Sequence, residues 1–218
     1  MEAIERNILS TDWNTILFLL MLLLLVLAKI FNSERFYDFS RILYSNKYFT
    51  SHKKSLQIIN RFSFSLFLLH TLLISLGLYL VFKTYGVYFE DKRGVLFFIQ
   101  IFVAYAIFIS VKYFFEKIIG NIFSIEKIID NYIFYKITYK NFLSLGIFPV
   151  LILLVYGFSA SKMALLILGS ILILSNLLML LSYYQKNQKL VFTHWFYFIL
   201  YLCTLEIAPY FILFKVIT

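Results

Sequence analysis

The sequence predicts an all-α fold, a polytopic transmembrane helix bundle of six spans with an amphipathic cytoplasmic helical segment. Hydrophobic residues make up 62% of the 218 positions and charged residues 14%, too few polar groups to coat a water-soluble fold of this size. The apolar residues also gather into six runs, each about the length a helix needs to cross ~30 Å of hydrocarbon. These runs are continuously apolar, whereas barrel strands would alternate over about ten residues. What remains is loop, so residues 1–218 are expected to form one integral membrane domain.

The first span is placed at 14–31. Glu2, Glu5, Arg6 and Asp12 precede it in place of a basic leader, and no small-residue cleavage site accompanies Lys29, Ile30 and Phe31; a retained helix is expected, not a signal peptide. The second span, 62–82, carries His70, and the third, 95–115, carries Gln100. The fourth, 142–158, is the shortest and contains Gly146 and Pro149. A kink at Pro149 is expected, with a partly re-entrant segment as the alternative. The fifth, 163–183, holds Ser175 and Asn176; the sixth, 193–214, holds Glu206 and, three residues later, Pro209, a second expected kink. Two pairs of small residues spaced four apart, Thr71 with Ser75 and Ala106 with Ser110, would allow helices to approach closely.

Lysine and arginine orient the bundle. Fourteen of the twenty lie in the first, third and fifth loops, with seven between Lys29 and Arg61 alone. The positive-inside rule places those loops in the cytoplasm and both termini outside. The excess charge is thereby spread among membrane-flanking loops without a nucleic-acid-binding motif, which points to anionic lipid headgroups as partners and away from nucleic acid.

Two cytoplasmic segments exceed simple turns. Residues 32–61 interleave basic residues with Phe36, Tyr37, Phe39, Tyr44, Tyr48 and Phe49, a composition suited to a helix at headgroup level. In residues 116–141, Ile118, Ile122, Ile125, Ile129 and Ile133 follow helical spacing, while Lys117, Asn121, Ser124, Lys127, Asp130 and Asn131 fall largely on the other side. That pattern predicts an amphipathic helix. It would lie in the membrane interface as a continuation of the third span, or serve with 32–61 to meet a membrane or cytoplasmic protein partner.

Ionisable and amide groups inside spans are costly, so each is a candidate functional position. Glu206, His70 and Asn176 are the three candidates. Glu206 could act as a protonatable group, its carboxyl kept neutral by burial, or as a structural anchor for the sixth helix. His70 and Asn176 could equally be helix-to-helix hydrogen-bonding groups. No catalytic residue, metal site or cofactor is expected. The single cysteine, Cys203, cannot form an intramolecular disulfide or a cysteine-based metal site. His52 lies in a loop and His194 at a span edge, so His70 has no histidine partner at its depth for a haem. His-Glu-x-x-His, Gly-x-Ser-x-Gly and glycine-rich phosphate loops are absent from the sequence.

The stretch Tyr201-Leu202-Cys203-Thr204-Leu205-Glu206-Ile207-Ala208-Pro209, followed by Lys215, resembles an uncharacterised family of polytopic inner-membrane proteins of Bacteroidota, a domain of unknown function. The six spans and the aromatic, basic first cytoplasmic loop extend that resemblance over most of the chain. It implies a location in the bacterial inner membrane and supplies no activity. Three functions fit these readings. A non-enzymatic accessory or assembly subunit of a cell-envelope complex comes first, a small transporter or proton-conducting channel using Glu206 second, and a membrane-embedded enzyme third.

Overall fold

The computed structural model describes residues 12–42, 48–49, 61–86, 94–123, 125–157 and 161–186. Six α-helices are formed among them: α1 (Asp12–Phe31), α2 (Ser33–Ser40), α3 (Arg61–Thr84), α4 (Gly94–Ile122), α5 (Glu126–Ile152) and α6 (Lys162–Lys186). Five are long and apolar enough to cross a membrane, all but α2. They account for the first five expected spans. The expected sixth, 193–214, lies outside the described residues.

The bundle is built around α3, which packs against α1, α4, α5 and α6. Its Leu66, Leu69, Leu73 and Leu76 are fully enclosed. Between them, the hydroxyls of Ser65, Thr71 and Ser75 donate to the carbonyls of Arg61, Leu68 and Thr71 on their own helix, at 2.7 to 3.0 Å. Back-bonding of this kind satisfies a buried hydroxyl without a partner from another helix. Thr71 and Ser75 both lie on the buried face of α3. By contrast, α4 and α6 line the outside of the bundle, with most of their apolar side chains exposed. Such faces are stable only against lipid or another apolar surface.

Because successive long helices alternate in direction, the ends of the bundle differ. At one end Trp13 makes an edge contact with Tyr79 at 5.3 Å and packs on Phe98 at 5.4 Å. There too, Thr15 and Tyr156 share a 2.7 Å hydrogen bond, and Lys162 stands over the Tyr85 ring. The opposite end gathers α2, the start of α3, the α4–α5 turn and the last turn of α6. It is the end where the basic loops fall.

Part of the aromatic first loop packs into the protein core. Helix α2 is present, opened by the Asn32 side chain accepting from the Arg35 N–H. Tyr37 is exposed, with the Arg41 guanidinium 4.2 Å over its ring. Phe39, Tyr48 and Phe49 are instead buried. Phe49 stacks flat on Tyr135 of α5 at 4.0 Å, and Phe39 meets Phe62 and Phe142 edge-on. These rings fill protein core because α5 presents Phe134, Tyr135, Tyr139 and Phe142 opposite them, a match that spans nearly a hundred residues of sequence. Burial pushes the Tyr48 phenol up to about 12.

The 116–141 segment is helical, but a turn at Phe123 and Ile125 divides it between α4 and α5. Its isoleucines therefore do not share one face. Ile118 and Ile122 point outward from α4, whereas Ile125, Ile129 and Ile133 are buried with Tyr132 and Tyr183 in a second apolar cluster. The third expected span accordingly runs on to Ile122. The fourth begins well before residue 142, within the 27-residue α5, which passes through Pro149 and ends in a π-helical turn, Leu153–Gly157.

Candidate functional site

His70 projects from α3 into the centre of the bundle and is buried. Its Nδ1 lies 2.8 Å from the Oγ of Ser144 on α5. Ser144 in turn donates its hydroxyl proton to the Lys140 carbonyl at 2.9 Å. Which of the two atoms donates in the His70–Ser144 contact follows the imidazole tautomer. The pair joins α3 to α5 in the bundle core.

Asn176 is placed elsewhere. It is half-buried on α6 and its Nδ2 donates to the Leu172 carbonyl of the same helix at 2.9 Å. No hydrogen bond among the described residues links it to His70. Glu206 and Pro209 lie outside the described residues. Pro149 stands four residues before the π-helical turn, where the Leu153 N–H is shared between the carbonyls of Pro149 and Val150. Proline has no N–H to offer the preceding turn.

The described residues also contain a buried ion pair that helical periodicity does not single out. Lys136 of α5 donates to the Glu116 carboxylate of α4, and both are buried. The ammonium also sits 5.5 Å over the Tyr132 ring, a cation–π contact that suits a desolvated lysine. Next to Glu116 on α4, Lys117 pairs with Asp130, which precedes Lys136 by six residues on α5, in a more exposed position. Gly120 lets the two helices meet here, since a Cβ on it would stand 3.3 Å from Ile129 Cδ1. The four charged residues thus hold the ends of α4 and α5 together as a hairpin. Beside the Lys117–Asp130 pair is an open notch of about 290 Å³, lined by Lys117, Gly120, Asn121, Glu126, Ile129 and Asp130.

Two further buried oxygens, Asn14 Oδ1 on α1 and Asn141 Oδ1 on α5, have no hydrogen-bond partner among the described residues. No group of three or more histidine, cysteine, aspartate or glutamate side chains among the described residues is arranged to hold a metal ion.

The signal for the hairpin pairs was present but indirect. Glu116 and Lys136 stand 20 residues apart, and only a reversal between them makes them neighbours. A continuous amphipathic helix would have put them about 30 Å apart at ~1.5 Å per residue.

These observations define a class: a polytopic α-helical membrane bundle with a polar α3–α5 contact at its centre and a charge-paired hairpin at one end. The chain belongs to the DUF4271 family, a domain of unknown function, whose family model matches residues 14–217. No curated protein and no solved structure matches it.

Proposed function

We propose that the chain is a non-enzymatic component of a bacterial inner membrane, an accessory or assembly subunit of a cell-envelope complex. Its partner is met at the basic end, through residues 32–61 and 116–141, with that end in the cytoplasm and both termini outside. One observation carries this reading. Helix α4 has 29 residues, about 43 Å at 1.5 Å per residue against ~30 Å of hydrocarbon. Its last turns therefore reach headgroup level.

There, two cross-helix ion pairs fix α4 on α5, and the notch beside them offers charges of both signs. A rigid element with a polar recess is a preorganised docking surface, which lowers the ordering cost of binding. The Lys and Arg distribution supports the orientation. Mild solubilisation from native membranes, followed by identification of stably bound proteins, tests the reading. A defined companion whose retention is lost on Asn121→Arg is expected; a monodisperse protein that emerges alone contradicts it.

A second reading, a proton-conducting or transport function using Glu206 with His70 as relay, draws on the buried His70–Ser144 contact. It requires pH-gradient-driven flux in proteoliposomes that is lost on Glu206→Gln and reduced on His70→Ala. Flux that survives both substitutions removes these residues from any pathway.

A further inference from the structure

Along the last turns of α4, the charged side chains face α5 and the large apolar side chains face away from it. A hairpin projecting into water would show the reverse, since desolvating ion pairs while exposing large apolar side chains raises its free energy on both counts. Here Glu116 and Lys136 are enclosed between the helices, and Lys117 meets Asp130 across the same seam. The opposite side of α4 carries Phe114, Phe115, Ile118 and Ile122, each at least half exposed. At 3.6 residues per turn these four fall within about 100° of the helix circumference.

That stripe also has no boundary on its membrane side. Val103, Ile107 and Val111, farther back on α4, are exposed on the same side. Ile107 is 58% exposed at mid-helix and Ile122 is 69% exposed at the end, so the lipid-facing surface of the span continues unchanged to the hairpin tip. Asn121 and Lys117, which border the notch, lie on the flank between this stripe and the α5 contact.

We infer that the outer face of the hairpin is a membrane-interface surface. Phe114, Phe115, Ile118 and Ile122 lie in the boundary between acyl chains and headgroups, and α4 leans over so that its extra length stays in the membrane. The occupant of this face is lipid. The ion pairs on the inner seam then sit in the shelter of the two helices, and only the Asn121 flank faces water. This placement follows from the side-chain pattern of α4 and does not depend on the assembly role proposed above.

The test is depth measurement by spin labelling. Nitroxides are attached singly at Ile122→Cys, Ile118→Cys, Asn121→Cys and Ile107→Cys, in a Cys203→Ser chain reconstituted into vesicles of equal parts phosphatidylcholine and phosphatidylglycerol. Collision with oxygen, which partitions into lipid, is compared with collision with a water-soluble nickel chelate. The labels at 118 and 122 should favour oxygen several-fold more than the label at 121, approaching the ratio at 107. Nickel-dominated collision at 118 and 122 would place the hairpin in water and overturn the inference. Low collision with both reagents would mean a protein covers the face, which overturns it equally. The label at 118 provides the same reading should the variant at 122 fail to fold.

Discussion

Lys136 and Glu116 form a buried ion pair across the α4–α5 hairpin, with the Tyr132 ring completing the lysine's enclosure. Removing one partner leaves the other charge enclosed without compensation, which typically costs about 3–5 kcal/mol. Glu116→Ala and Lys136→Ala should each destabilise the protein by that order in reversible unfolding in mixed micelles. The double replacement Glu116→Leu with Lys136→Met should recover most of the loss, because an apolar pair of similar volume avoids desolvating charges. A double variant as unstable as the sum of the singles would deny that the two residues interact.

The neighbouring Lys117–Asp130 pair has side chains 38% and 28% exposed, so solvent screens it. Asp130→Asn should cost no more than about 1 kcal/mol, with the difference shrinking at high salt. The same unfolding measurement separates the two pairs. A salt-insensitive loss of several kcal/mol at Asp130 would show it to be the more deeply held.

For His70 and Ser144 the expectation concerns coupling. Hydrogen bonds between membrane helices contribute on the order of 1 kcal/mol net. A double-mutant cycle of His70→Ala and Ser144→Ala should return an interaction of about that size. Zero coupling would indicate that the two side chains act independently.

Phe49 is predicted to matter more for stability than its loop position suggests, because its ring is buried against Tyr135 and Tyr139. Phe49→Ala should cost roughly 3 kcal/mol or more. Tyr37→Ala, on an exposed ring of α2, should stay within about 1 kcal/mol. Equal effects in thermal unfolding would contradict the placement of Phe49 in the core.

The apolar runs were legible because hydrocarbon imposes a minimum length on them; α1, α3, α4 and α6 cover their expected runs, and α5 with its π-helical turn covers the fourth through Gly157. The break between α4 and α5 was not legible. It contains neither proline nor glycine at Phe123 to Ile125, and Ile125 opens α5 without a capping side chain. Isoleucine spacing continued through it in helical register, so periodicity alone could not reveal two helices with different buried faces. His70 was identified from its cost in a span, but its partner was not. Ser144 stands 74 positions away, and only the packing of α3 on α5 selects it among many serines. The same principle singles out Asn176, whose side chain donates to a carbonyl of its own helix. Glu206 lies outside the described residues.

The most direct test of the proposed assembly role is site-specific photo-crosslinking in native membranes. A photoreactive residue is placed in turn at Asn121 and Glu126 beside the notch, and at Leu174, an exposed apolar position on α6. One discrete heavier species, the same from Asn121 and Glu126 and missing from Leu174, is the result the proposal requires. Uncrosslinked protein at all three positions, or a species from Leu174 alone, would contradict docking at the hairpin.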